Sequence, residues 1–321
     1  MCNVPRAAVL LLVALESAAV VAPAEPPATI VPAAAGITNG AISLERNQPS
    51  APTLAPAPEP ADALYAIPTR LDRIGRIVIP VLVNGRGPFQ FVLDTGANAT
   101  VISPHLAAAL GLQVDLTQTL VMSGVTGSAS VPTAMVEDIQ SRGLALAGQR
   151  LAVSEASAIG TDGILGVDAL RHKAVLVDFN NDRVEVFDAA GHRPSDELTR
   201  IPAKLRFGNL LIVDAMIATH KVKAVIDTGG QRTLGNLALY AMLGYRHEIP
   251  SREAAADVIG ATEARQPGER HIVRTVTLGD LRVVNVTVTF GDFYIFKRWE
   301  LDSQPVLVIG MDMIGTLGRC S

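Results

Sequence analysis

Two six-residue runs, far apart in the chain, constrain it more than any other feature: Phe91-Val92-Leu93-Asp94-Thr95-Gly96 and Ala224-Val225-Ile226-Asp227-Thr228-Gly229. Each is an apolar stretch closed by Asp-Thr-Gly. Chance supplies on the order of 0.1 such triplets in a chain of this composition, so one copy says little and two in matched settings say much. The settings do match. Six residues after each Asp stands a threonine, Thr100 and Thr233, and Leu110-Gly111 and Leu243-Gly244 follow at equal spacing. Each copy then reaches an apolar run ending in Gly-x-Asp: Ile164-Leu165-Gly166-Val167-Asp168 and Val308-Ile309-Gly310-Met311-Asp312. The chain therefore reads as an internal duplication, with lobes at 67–195 and 196–321.

Each copy reads as mainly β with short helices. Strands over 76–83 and 88–93 flank Asn84-Gly85, a two-residue hairpin signal. Ser103-Pro104 is a helix cap followed by Pro at the first helical position, and the helix stops at Gly111. Strands over 117–122 and 130–136 flank a turn at Gly124, Val125, Thr126 and Gly127. A final hairpin spans 173–179 and 183–187. The second copy repeats the order, with its projecting turn near Gly260-Ala261-Thr262. Aromatic residues make up only 4% against 49% apolar, so the cores must be built from Val, Ile, Leu and Ala. Only residues 311–321 follow Gly310. The second copy's last hairpin is thus expected to be missing, leaving an open sheet edge or room for another segment.

A carboxylate at the end of an apolar strand is costly to bury alone. Duplication related by a pseudo-two-fold axis can bring Asp94 and Asp227 face to face, with the threonine hydroxyls bonding across. Two carboxylates sharing one site do not both ionise easily, so one holds a proton and the other a charge. That pairing is a general base for water and a general acid for a carbonyl oxygen. No Ser or Cys nucleophile is required.

The run from Asp94 to Thr100, the turn over 124–127 and Asp162-Gly163-Ile164-Leu165-Gly166 resemble a lobe of the retropepsin-like aspartic proteases. The two-lobe arrangement resembles the single-chain bacterial members, over about 67–321. The resemblance implies an aspartic endopeptidase acting on polypeptides. Asp94 and Asp227 would be its catalytic dyad, Thr95 and Thr228 the interlobe hydroxyl pair, and Gly96 and Gly229 backbone donors. Gly124, Val125, Thr126 and Gly127 would form the tip of a substrate-covering flap. The alternatives are an inactive peptide-binding module with the same cleft, and a protease whose dyad forms between chains of a dimer; a two-lobed monomer is the simpler expectation. Ala97 and Gly230 stand where many relatives carry a hydroxyl that bonds the carboxylate. An activity optimum nearer pH 5–6 than pH 2 is therefore expected.

Arg6, the apolar run over 7–15 and Ala22-Pro23-Ala24 resemble an export signal over 1–24, interrupted by Glu16. The expectation is a periplasmic or secreted protein, with an uncleaved N-terminal anchor as the alternative. Residues 25–66 are Ala- and Pro-rich and read as a tether. The body has no apolar run long enough for a membrane span. Net charge is −4, and without clustered Lys and Arg nucleic-acid binding is not expected. The six histidines are scattered and the two cysteines, Cys2 and Cys320, lie near the ends. No metal site, cofactor or disulfide framework is predicted. Asp168 and Asp312 read as structural turn or cap residues.

Overall fold

Asn84 and Gly85 both take positive φ, 51° and 67°, the backbone of a two-residue hairpin whose twist matches the strands it joins. The computed structural model that contains this hairpin describes residues 9–12, 65–68, 70–71, 75–141, 144–155, 161–170, 173–178, 183–188, 203–206, 210–245, 255–262 and 264–317. In chain order the first half holds β1 (Val9–Leu12), β2 (Tyr65–Pro68), β3 (Arg70–Leu71), β4 (Ile77–Val83), β5 (Arg86–Leu93) and β6 (Val101–Ile102). Then come α1 (Pro104–Leu110), β7 (Val114–Gly124), β8 (Gly127–Ser141), β9 (Leu144–Val153), β10 (Gly163–Leu165), β11 (Lys173–Asp178) and β12 (Arg183–Asp188). The second half holds β13 (Ala203–Arg206), β14 (Leu210–Ile217), β15 (His220–Ile226), β16 (Leu234–Gly235), α2 (Leu237–Met242) and β17 (Ala255–Ile259). It closes with β18 (Arg265–Leu278), β19 (Leu281–Phe290), α3 (Tyr294–Arg298), β20 (Val306–Ile309) and α4 (Met311–Leu317).

The duplication is visible in the sheets. One is ordered β3-β4-β5-β10-β6-β9-β8-β7 and the other β13-β14-β15-β20-β16-β19-β18-β17. The second order is the first with every strand advanced by ten. In each, a short strand threads between the strand that leads into Asp-Thr-Gly and the strand that follows it: β10 runs parallel to β5 and antiparallel to β6, and β20 runs parallel to β15 and antiparallel to β16. Extra pairings β4–β8 and β14–β18 curl each sheet back on itself. The largest cluster of buried side chains runs through both lobes and is mainly aliphatic, as expected, though Phe91, Tyr240 and Phe290 belong to it, and a smaller cluster in lobe 2 gathers Phe293, Phe296 and Trp299.

The helix signals act as their chemistry predicts. The Ser103 Oγ accepts the Leu106 N–H at 3.0 Å and Gly111 ends α1 at φ 70°. Asn236 caps α2 the same way, accepting from Leu239 N–H at 2.9 Å. β7 and β8 extend well beyond the predicted strands, because the flap leaves the core and carries polar and exposed apolar residues without a clean alternation. Leu116 and Val121, for example, are 76% and 75% exposed.

A third sheet, ordered β1-β11-β12-β2, contains the predicted hairpin. β1 lies within the segment read as an export signal and pairs antiparallel with β11, from Val9 opposite Val177 to Leu12 opposite Ala174. β2 opens at Tyr65, ahead of the boundary read at 67. The rest of 1–24, most of the tether, and both cysteines lie outside the described residues. The described part of lobe 2 ends on α4, and no counterpart of β11–β12 occurs among those residues. No helix among the described residues is long and apolar enough to cross a membrane.

Candidate active site

Asp94 and Asp227 each stand at the end of a buried strand, where the chain turns out of the sheet. The threading strands pin both turns: Asp94 N–H donates to Leu165 O and Asp227 N–H to Ile309 O, each at 3.0 Å. Gly166 and Gly310 follow at once. A side chain at Gly166 would come within 2.7 Å of the Ala99 backbone, and one at Gly310 within 2.6 Å of the Arg232 backbone. That close approach explains why each apolar run ends in glycine.

Two mirrored hydrogen-bond sets hold the lobes together at the dyad. The Thr95 Oγ1 donates to Ile226 O at 2.8 Å and accepts the Thr228 N–H at 3.2 Å. The Thr228 Oγ1 donates to Leu93 O at 2.7 Å and accepts the Thr95 N–H at 3.0 Å. Both threonines are fully buried, so each hydroxyl satisfies one donor and one acceptor of the opposite lobe that water cannot reach.

The carboxyls are held just as symmetrically. The Asp94 Oδ1 accepts from Gly96 N–H at 2.8 Å and Ala97 N–H at 3.0 Å. The Asp227 Oδ1 accepts from Gly229 N–H at 3.0 Å and Gly230 N–H at 2.8 Å. Each carboxyl also crosses to the other lobe. A Cβ on Gly96 would lie 2.6 Å from the Asp227 Cγ, and one on Gly229 would land on the Asp94 carboxyl. Only glycine permits the two acids to meet. Gly230 likewise lies under Asp227, with 2.7 Å from its would-be Cβ to Oδ2.

Both side chains are half-buried by surface, yet protein surrounds them densely enough to desolvate the charge. Burial first, then the Asp227 charge, push Asp94 up to about 7 against the pull of the Gly96 and Ala97 N–H groups. Burial also raises Asp227, while the Gly230 and Gly229 N–H groups and a hydrogen bond from Asp94 lower it. The same bond raises Asp94. Burial thus raises both carboxyls, and the pair titrates as a unit that resists losing its last proton.

A second pair of acids supports the loops. The Thr100 N–H and Oγ1 donate to the Asp168 carboxylate at 2.9 and 2.7 Å, and Gly166 N–H donates to the Thr100 Oγ1 at 3.2 Å. Thr233, Asp312 and Gly310 repeat this at 3.0, 2.6 and 3.2 Å. Both residue types were legible as echoes in the sequence; that they bind one another was not. Asp168 and Asp312, read from the sequence as turn or cap residues, thus hold the threonine six residues after each Asp of the pair.

Gly124, Val125, Thr126 and Gly127 do form a hairpin tip, and it rests on lobe 2. The Thr126 Oγ1 donates to Ala264 O at 2.7 Å and accepts the Gly260 N–H at 3.0 Å. The Val125 O accepts the Ile295 N–H of α3 at 3.1 Å. The turn near Gly260 is a second flap, so two tips meet. They are not equivalent: the hydroxyl of Thr262, the repeat counterpart of Thr126, is buried without a hydrogen-bond partner among the described residues. The role of α3 in seating the flap was not foreseen; the aromatic run Phe293 to Trp299 was its one signal.

Fold and site together define a two-lobed protein with one carboxyl dyad on the pseudo-two-fold axis. Residues 79–172 match the family of gag-polyprotein putative aspartyl proteases, and residues 213–313 match the aspartyl protease family. With these two domains in tandem, the chain belongs to the retropepsin-like aspartyl proteases, in a two-lobe form. Among solved structures, a retropepsin-like aspartic protease from Rickettsia conorii is similar at 21% identity. That match covers 39% of this chain and 90% of the other, with a TM-score of 0.28. No curated protein matches the sequence.

Proposed function

We propose that the protein is an aspartic endopeptidase in which Asp94 and Asp227 activate water for peptide-bond hydrolysis. The observation that supports this reading is the mirrored cradle in which the Gly96, Ala97, Gly229 and Gly230 N–H groups hold two carboxyls from the two lobes at one place. Asp227 takes a proton from water as the water oxygen bonds the carbonyl carbon. The carbonyl electron pair moves to oxygen, which takes the proton from Asp94. Asp227 then passes its proton to the nitrogen as the C–N bond breaks. Asp94 recovers a proton from the hydroxyl as the carbonyl re-forms, so one water is consumed and the dyad returns to its first state. The flap tips would exclude solvent over the bound chain.

The test is hydrolysis of a peptide library by wild type, Asp94→Asn and Asp227→Asn, with folding checked by circular dichroism. Loss of activity in both variants supports a shared dyad, and activity surviving in either sinks it. A wild type that binds peptides without cleaving them would instead be a binding module. Export rests on the sequence pattern of 1–24; fractionation of cells expressing the full chain, with the new N-terminus read by mass spectrometry, tests it.

A further inference from the structure

We propose that the cleft is one-sided: lobe 1 receives a bulky apolar side chain of the substrate, while the matching place in lobe 2 is filled by the protein itself. This deepens the endopeptidase reading and rests on it. Strand register gives the correspondence. Val101 lies opposite Ala152 in lobe 1, as Leu234 lies opposite Thr289 in lobe 2. Thr133 pairs with Ala152 as Arg270 pairs with Thr289. Two residues back along β8 and β18, Val131 therefore corresponds to Gly268, and Ala129 to Gln266. Ile164 corresponds to Val308, since each pairs with the first residue of the short strand beside it.

On the lobe 1 face, Val101, Val131 and Ala152 pack with half-exposed Met122, Ala129 and Ile164. This patch runs from the dyad to the flap. Ile164 precedes Leu165, whose carbonyl holds the Asp94 N–H, and Met122 and Ala129 sit on the flap strands two residues from Gly124 and Gly127. The same face of lobe 2 is covered. Leu234 and Val308 are buried under Phe293, Ile295, Phe296 and Trp299. Gly268 makes the room: a Cβ there would meet the Thr289 Cγ2 at 2.7 Å and the Phe293 ring at 3.1 Å. The Gln266 Oε1 accepts the Tyr294 N–H at 2.9 Å and seats α3. Val125 of the flap packs on the same cluster and bonds Ile295, so α3 reaches the edge of the cleft.

The connecting sequences differ in the same sense. Residues 154–162 in lobe 1 contain no aromatic side chain, whereas 291–305 in lobe 2 contain Phe293, Tyr294, Phe296 and Trp299. A substrate side chain laid against lobe 1 removes exposed apolar surface from water; one laid against lobe 2 meets a face already packed.

The experiment varies each residue flanking the scissile bond among Gly, Ala, Leu and Phe, using wild-type protein. One flank should favour Leu or Phe over Ala by about tenfold in kcat/KM, and the other should favour Ala over Phe by about as much. Equal tolerance on both flanks, or a demand for bulk on both, overturns the proposal and leaves the endopeptidase reading standing. Binding of the same peptides with a reduced, uncleavable scissile bond separates the two claims. One-sided binding without any hydrolysis of the natural peptides keeps the proposal and removes the endopeptidase reading. Binding that ignores size on both flanks overturns the proposal. As a directed check, Ala129→Phe should lower the preference for bulk about tenfold on that flank alone; an unchanged profile in the folded variant overturns it.

Discussion

At the scale of single residues, the raised carboxyls of Asp94 and Asp227 bear on both the proposed chemistry and stability. The proposed mechanism needs one proton on the pair, so activity should fall as pH rises through about 7, where burial no longer keeps Asp94 protonated. On the acid side it should fall as Asp227 gains one. A mildly acidic optimum in a pH–rate profile is expected, and an optimum below pH 3 contradicts it. Stability moves with the same groups. Asp94 titrates near 3.8 when unconstrained and near 7 in the fold. Its contribution is complete below about 3.8 and is lost as pH rises through about 7, because ionising it costs more in the native state. Asp94→Asn cannot ionise, so its Tm relative to wild type should climb between pH 4 and pH 8. A difference that stays flat across thermal melts refutes this. The threonine pair offers a second check. Thr228→Val would strand the Leu93 carbonyl and the Thr95 N–H, at about 1–3 kcal/mol for each buried group left unpaired. Thr228→Ser, which keeps the hydroxyl, should retain most of the stability in denaturant titrations.

At the scale of elements, packing is decided where one segment presses on another. Gly268 leaves room for Phe293, the residue that leads into α3 on the lobe 2 face. Gly268→Val would push into Thr289 and Phe293, both buried, and should cost about 1–3 kcal/mol by overpacking. A loss well below 1 kcal/mol in urea unfolding would mean that α3 yields freely. The flap is lighter. Gly260 N–H donates both to Ala264 O at 3.3 Å and to the Thr126 Oγ1 at 3.0 Å. Thr126→Val removes the second acceptor and the bond to Ala264 O, so amide exchange at Gly260 should accelerate while core strands stay protected. Unchanged exchange there would show that the tips are held by apolar contact alone.

At the scale of the whole molecule, the lobes are halves of one site. The threonine bonds, the crossed carboxyls and the continuous core all join residues of the same chain. Mixing folded Asp94→Asn with folded Asp227→Asn should therefore restore no hydrolysis. Activity regained in the mixture would mean that dyads assemble between chains. β1 adds a separate feature at this scale: it borders β11 in a sheet that takes no strand from lobe 2 among the described residues.

The duplication, its β character, the hairpin turn, the helix caps and the dyad were all legible in the sequence because each rests on short-range chemistry. Asp-Thr-Gly needs a turn, Asn-Gly needs positive φ, Ser-Pro starts a helix, and repetition at equal spacing exposes the two-fold relation. The flap strands were read short because an arm projecting into solvent has no alternating core face to mark its length. The pairing of Thr100 with Asp168 could not be read, since the two lie far apart and only the threading of β10 brings them together. The inequality of the lobes was equally hidden. The sequence alone determined that there are two copies of one plan; the tertiary structure decided that they differ, because whether an aromatic helix covers a sheet depends on a glycine in another strand making room for it.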